Sequence, residues 1–388
     1  MLIGITGAPS KGKSTFFSAA TMVNVEISPR PFTTIEPNKG ATYISVDCPC
    51  KPAGMKCNPK NSKCENGKRL IPVSIVDLAG LVPGAHEGKG LGNKFLDDVR
   101  TADVLIQIVD ASGKTDEEGN PIENFDPAKE VIFLETEISY WISNILKRAW
   151  SKIKGRDIDA VASTLTGLKI KENGIVKVAE KLGLPTEKLN WTEDEILDFS
   201  KSIREHAMPI VIAANKIDVA GAAENYKKLK ERFPEKTIIP VYSEGELVLR
   251  RANEKGIVKY TPGDYDFEIL NASPQQKEAL MRVKEVIKKN NGTGVQQVID
   301  EAVFRRLGLI VVYPVSDEHK YTDHFGAVLP DAVLVRNGTT AIEFAEGIHA
   351  DLAKNFIFAI DAKKKLRVAK DYVLKNGDII KIVSGSGK

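Results

Sequence analysis

An eight-residue run near the start of the chain, Gly7-Ala8-Pro9-Ser10-Lys11-Gly12-Lys13-Ser14, carries the spacing G-x-x-x-x-G-K-S. It follows the strand-like segment LIGIT and opens the helix-like segment KSTFFSAATM. In that context a glycine-rich turn cradles phosphates. Backbone N–H groups at a helix N-terminus offer partial positive charge to an anion. Lys13 would neutralise the outer phosphates, and the Ser14 hydroxyl suits a hard cation such as Mg²⁺. The expected phosphate-contacting set is Gly7 to Ser14 together with Thr15.

Four later segments match in order. Asp77-Leu78-Ala79-Gly80 closes the apolar run IPVSIV as D-x-x-G. Asp77 is expected to hold Mg²⁺ through water, and the Gly80 N–H to touch the terminal phosphate. Asn215-Lys216-Ile217-Asp218 closes MPIVIAA as N-K-x-D. Asp218 can accept from both guanine N1–H and the exocyclic amine, a pairing that adenine does not offer. Asn215 would tie this base loop to the phosphate loop, and the aliphatic stem of Lys216 would cover the base. Thr33-Thr34 falls between the first helix and the second strand, where Thr34 would complete the Mg²⁺ shell and sense the γ-phosphate. Ser243-Glu244 ends TIIPVYS and is expected to present N–H groups to guanine O6. The substrate this set implies is GTP, with Mg²⁺ as cofactor and Lys13 and Gly80 acting on the reacting phosphate.

Cys48, Cys50, Cys57 and Cys64 form C-x-C-x6-C-x6-C, with no cysteine elsewhere. Such clustering suggests that they act together. Four thiolates suit zinc, yet C-x-C is tighter than the usual zinc knuckle. Disulfides and reduced thiols stay open beside zinc.

These residues need elements to place them. Short apolar runs separated by helical patterns read as a doubly wound, mainly parallel sheet. TYISV and LIPVSIV would pair as a hairpin with the cysteine segment at its tip. Residues 127–205 lack strand alternation and read as a helical insertion, with Trp141 and Trp150 as core anchors of a helical hairpin. The tail, from LGLIVVYPV onward, runs strand–strand–helix–strand–strand. The expected domains are 1–126 with 206–307 for the nucleotide, carrying the cysteine hairpin insert 47–69; 127–205 for the helices; and 308–388 as a small α+β unit.

The stretches P-F-T-T-I-E-P-N, V-D-L-A-G-L-V-P-G-A-H-E-G-K-G-L-G-N-K-F-L-D-D-V-R and N-K-I-D, with the tail, resemble the Obg-like, YchF-related branch of translation-factor-class GTPases. The cysteine segment and helical insertion suggest its archaeal subgroup. The resemblance covers essentially the whole chain and implies a P-loop GTPase fold followed by a β-grasp TGS domain, a module of RNA- and ribosome-associated proteins. It implies Mg²⁺-dependent hydrolysis in a translation-linked role. Two residues depart from the pattern. Ser10 stands where many relatives carry the Asn that helps coordinate a monovalent cation, and Glu244 stands where they carry Ala. Leu81 follows D-L-A-G where Ras-type enzymes place a water-orienting Gln. The family shares this substitution, so slow intrinsic turnover is expected. His86 in the same loop could accept a proton from water or make a structural hydrogen bond. Arg30 could stabilise charge in cis or face solvent.

The 388 residues are 42% hydrophobic and 28% charged, which is globular usage and excludes a disordered or collagenous chain. No apolar run approaches the ~20 residues of a membrane span. Met1 runs straight into LIGIT, so a cytoplasmic protein is expected. Net charge is only +3. Residues 50–69, however, carry six Lys/Arg against Glu65, and 147–181 carry nine against four acids. With Lys363-Lys364-Lys365-Leu366-Arg367 these patches could meet RNA phosphates or simply face solvent. The reading is therefore a GTP-hydrolysing switch that works with ribosomes or RNA. Its rivals are a ribosome- or RNA-binding adaptor with nucleotide as a structural ligand, and an ATPase.

Overall fold

The strands, in chain order, are β1 (Leu2–Thr6), β2 (Asn38–Asp47), β3 (Lys63–Glu65), β4 (Lys68–Asp77), β5 (Val104–Asp110), β6 (Ile210–Asn215) and β7 (Ile238–Pro240). The computed structural model describes residues 1–22, 38–78, 80, 84–87, 98–168, 170 and 172–385. Arg30, Thr33, Thr34 and Leu81 lie outside the described residues. Contacts divide the chain into two units, Met1–Ala41 with Ser74–Val298 and Thr42–Val73 with Ile299–Lys388.

In the first unit the end of β4, then β1, β5, β6 and β7 lie side by side and parallel. All seven residues of β5 are buried, which is why it reads as a continuous apolar run rather than an alternating one. Register sets Ile5 beside Asp77 and Asp110 beside Asn215, so the carboxyl ends of these strands finish together. In open α/β sheets that edge is where ligands bind.

Helices of the same unit are α1 (Lys13–Thr21), α2 (Ala128–Ile153), α3 (Asp159–Thr164), α4 (Glu172–Lys181), α5 (Glu193–Ala207), α6 (Ala222–Arg232), α7 (Ser243–Glu254), α8 (Pro274–Asn290) and α9 (Val295–Asp300), the last ending where the second unit begins. The stretch read as a helical insertion forms α2 to α5. Its apolar faces bury Leu134, Ile138, Ile142, Ile175, Ile196 and Phe199 in one core. Trp141 and Trp150 are only half-buried at the edge of that core. The central tryptophan is Trp191, which is 3% exposed, packs at a tilt against Trp150 and Phe199 and donates its indole N–H to Pro185 O at 3.0 Å. Its turn position hid it, because helical periodicity gives no weight to residues between helices. α5 starts on a capping box from Thr192 and Glu195, two first-turn donors being satisfied reciprocally.

The second unit holds the cysteine hairpin and the tail. β3 and β4 pair antiparallel across Asn66-Gly67, whose φ values of 51° and 80° are those of a two-residue hairpin turn. The tail is a five-stranded sheet of β8 (Leu309–Val315), β9 (Val333–Arg336), β10 (Phe356–Asp361), β11 (Leu366–Val368) and β12 (Ile379–Ser384), ordered β9-β8-β12-β10-β11. The single helix expected in the tail is split into Ala341–Ile348 and Ala350–Lys354, because extended His349 interrupts it and caps the second piece through its ring. Val312, Phe344, Ala359, Leu374 and Ile380 are among the buried residues of the core. The hairpin, which the sequence placed with the nucleotide domain, thus groups with this tail. No helix among the described residues is long and apolar enough to cross a membrane.

Candidate nucleotide site

The turn from β1 to α1 brings the first motif together. α1 begins at Lys13 with Gly12 as its N-cap, and no side chain caps it. Its first-turn N–H groups, those of Ser14 and Thr15 among them, lack intrahelical acceptors, the arrangement that suits an anion. Gly12 has φ +90°, and a Cβ there would lie 2.4 Å from the Asn215 amide nitrogen. Glycine is thus needed both for the backbone and for the approach of a neighbouring loop.

Lys13 Nζ donates to Ala8 O at 2.8 Å across the mouth of the turn. Desolvation lowers its pKa to about 8, while the Asp77 carboxylate pulls the other way. Ser14 Oγ donates to Asp77 Oδ2 at 3.2 Å. The other carboxylate oxygen, Asp77 Oδ1, is buried without a hydrogen-bond partner among the described residues, and burial pushes the group up to about 6 against Lys13 and Ser14. A hydroxyl beside a carboxylate with one unsatisfied oxygen is a hard-oxygen donor set that suits Mg²⁺. Gly80 lies beside them, its absent Cβ 3.4 Å from Lys13 Nζ.

The second motif closes onto the first. Asn215 Nδ2 donates to Lys11 O at 2.9 Å, and Asn215 Oδ1 accepts from Ser243 Oγ at 2.9 Å and Ser243 N at 3.3 Å. One buried amide therefore joins the phosphate turn, the N-K-I-D loop and the start of α7. Lys216 Nζ donates to Ser10 O at 2.9 Å and pairs with Asp110 at 2.7 Å. Asp218 and Glu244 are exposed. Burial and then these two carboxylates push the Tyr242 hydroxyl up to about 12, so the charges of Asp218 and of Glu244, in the first turn of α7, both reach one phenol.

Two results lie beyond the sequence reading. The Lys11 side chain turns away from the phosphate turn into the interior and is fully buried. There it pairs with Glu130 of α2 at 2.8 Å and donates to Thr115 Oγ1 and the carbonyls of Thr115 and Asp116. Asp110, at the end of β5, accepts from Ser112, Thr115 and Lys216. The signal for Asp110 was present: like Asp77 and Asn215, it is a polar residue ending an apolar parallel strand.

His86 is held firmly. Its Nδ1 lies 2.7 Å from Glu137 Oε2 of α2, and its main-chain N–H donates to the same oxygen at 2.9 Å. Gly84 N donates to Glu137 Oε1 at 2.9 Å, and the imidazole stacks on Tyr140 with centroids 4.9 Å apart.

Comparison with known proteins agrees with this geometry. Residues 2–137 match the family model for 50S ribosome-binding GTPases. Residues 213–317 match the G4 motif-containing domain of YGR210-like Obg-like GTPases, and 325–384 match the TGS domain. A GTP-binding protein of Methanocaldococcus jannaschii is 50% identical over 394 residues, covering 99% of each chain. One from Schizosaccharomyces pombe is 37% identical over 88% of each. A ribosome-binding ATPase YchF of Bacillus subtilis is 27% identical over 97% of each. The crystal structure of a GTP-binding protein from Pyrococcus horikoshii superposes with TM-score 0.80 at 40% identity, covering 99% of this chain and all of that one. The chain belongs to the Obg-like, YchF-related family of P-loop GTPases and ends in a TGS domain.

Proposed function

We propose that this protein is a Mg²⁺-dependent GTP-hydrolysing switch that acts on the ribosome. The observation that carries the reading is the Asn215 amide, which locks the phosphate turn to the loop bearing Asp218. That linkage ties a guanine-reading carboxylate to a phosphate cradle. In this reading Lys13 neutralises outer-phosphate charge, Gly80 N–H meets the γ-phosphate, and Asp218 and Glu244 N–H read the base. Ser14, Asp77 and Thr34 would hold Mg²⁺, which when bound offsets charge on the phosphates. Leu81 offers no hydrogen bond to a water. An imidazole whose Nδ1–H faces the Glu137 carboxylate keeps an unprotonated Nε2, 3.9 Å from Glu87 Oε1, that can accept a proton, and in this reading His86 positions or activates water.

Support for the ribosome as partner comes from the Bacillus relative, a ribosome-binding ATPase, the TGS domain and the exposed run 363–367. The test has two arms. Turnover of GTP and ATP is measured with and without ribosomes, and ribosome pelleting is measured with GDP, a GTP analogue and no nucleotide over a salt series. GTP preference, ribosome-stimulated turnover and salt-steep, GTP-favoured pelleting are expected. ATP preference would move the reading to an ATPase, and background turnover in both conditions to an adaptor. Lys363→Ala with Lys365→Ala tests the basic run. Removing 308–388 would not, since residues 58–61 of the hairpin hydrogen-bond to that tail.

A further inference from the structure

The four cysteines converge in the second unit. Cys48 and Cys50 follow β2, Cys57 lies in the connecting loop and Cys64 sits in β3. All four sulfurs lie within 4.8 Å of one another, with Cys48 to Cys57 at 3.9 Å and Cys50 to Cys64 at 3.8 Å. None is in a disulfide. Zinc–thiolate bonds of ~2.3 Å in a tetrahedron place the sulfurs about 3.8 Å apart. We propose that Cys48, Cys50, Cys57 and Cys64 hold a single Zn²⁺ ion in an all-thiolate structural site.

The surroundings fit that ion. Cys48 and Cys50 are buried and the other two half-buried. Four protein ligands leave no position for water, which makes the site structural rather than catalytic. The backbone already folds back on itself, with Cys48 N donating to Gly67 O at 2.8 Å and Met55 N to Cys50 O at 2.9 Å. This return overcomes the tightness of C-x-C, because Cys57 and Cys64 are brought in from the far side of the loop. Four thiolates around one Zn²⁺ carry two net negative charges. The charge of Arg69, a fully buried guanidinium, reaches Cys48. Arg69 donates to Ser62 Oγ and Leu329 O and lies over the Tyr313 ring, a fixed cation placed to offset that charge.

What the ion fixes is the loop's seat on the tail. Asn58 N donates to Val328 O at 2.8 Å, Lys60 N to Pro330 O at 2.7 Å, and the Asn61 amide makes two bonds with Ala332, both 3.0 Å. Residues 58–61 thus lie alongside 328–332, held by these hydrogen bonds, and the segment that lays them there lies between Cys57 and Cys64.

The test uses the untagged full-length chain, purified without oxygen or chelator after growth in zinc-supplemented medium. One zinc per chain by elemental analysis is expected, released in step with modification of four thiols by a mercurial. Cobalt replacement should give the thiolate charge-transfer and tetrahedral d–d bands of a four-sulfur site. Zinc removal should raise hydrogen exchange at 58–61 and 328–332 without weakening nucleotide binding. Cys57→Ser should lower zinc affinity more than about tenfold. Because that variant could misfold, chelator titration of the unaltered protein decides the matter independently. Four titratable thiols with no zinc, stoichiometric iron in its place, or cobalt bound without thiolate bands would each overturn the assignment.

Discussion

The side-chain amide of Asn215 donates to the main-chain carbonyl of Lys11 at 2.9 Å, across a glycine that leaves just enough room for it. Replacing Asn215 with Ala orphans buried groups on both sides, at about 1–3 kcal/mol for each lost partner. Asn215→Ala should therefore weaken GTP and GDP alike by at least about tenfold and lower the melting temperature. Gly12→Ala should do more, through strained backbone and a clash with the same amide. Fluorescent-nucleotide titration and thermal melts measure both, and unchanged affinity in Asn215→Ala would detach the loops energetically.

Base choice rests on Asp218. Asp218→Asn should lose guanine and gain xanthine nucleotides, whose ring offers the complementary pattern. Loss of a bidentate contact to a charged group is worth at least ~2 kcal/mol, roughly thirtyfold in affinity. Competition binding with GTP and XTP reads the exchange directly; equal GTP affinity in the variant would mean that selectivity arises elsewhere.

His86 and Glu137 separate by their readouts. If the imidazole acts on water, His86→Ala lowers single-turnover hydrolysis by about 10²-fold or more while GTP affinity stays. Glu137→Gln, which keeps the shape but removes the charge orienting the ring, should reduce turnover less and alter its pH profile. If His86→Ala hydrolyses GTP normally, the contact is an anchor for the loop.

Glu130 supplies a pH dependence. Burial pushes its carboxyl up to about 8, with Lys11 opposing. A carboxyl whose folded pKa exceeds its unfolded value contributes stability that is complete below the unfolded pKa. That contribution is lost as pH rises through the folded one. Unfolding free energy should thus decline between about pH 5 and pH 8. In Glu130→Gln the decline should flatten, whatever constant offset follows from altering the partner of Lys11. Urea denaturation across that range tests it, and parallel curves for the two proteins would contradict it.

Much of the site could be read from the chain because its geometry is local. A phosphate turn needs glycines at fixed offsets, and N-K-x-D needs only a strand end. The Asn215 bridge was also expected, since a short amide at that position has little else within reach. What stayed hidden depends on distance in sequence. Nothing around Lys11 says that its ammonium turns toward Glu130, because only the fold brings residues 119 positions apart together. The tie between His86 and Glu137 has the same origin. The seat of the cysteine loop has a related origin: its neighbours in sequence are sheet strands, while residues 58–61 hydrogen-bond to 328–332. The Asn66-Gly67 turn, by contrast, is a plain local signal for the hairpin's tight end.

Helix α2 carries Glu130, which grips the phosphate turn through Lys11, and Glu137, which grips the loop of His86. Seven residues are close to two full turns, so both carboxylates leave one side of the rod about 10 Å apart. The helix therefore works as a ruler with two marks. Inserting or deleting one residue between them would swing one mark about 100° around the axis and uncouple the two loops, though no residue that touches nucleotide had changed. Such a variant would keep every motif and lose the phase between them.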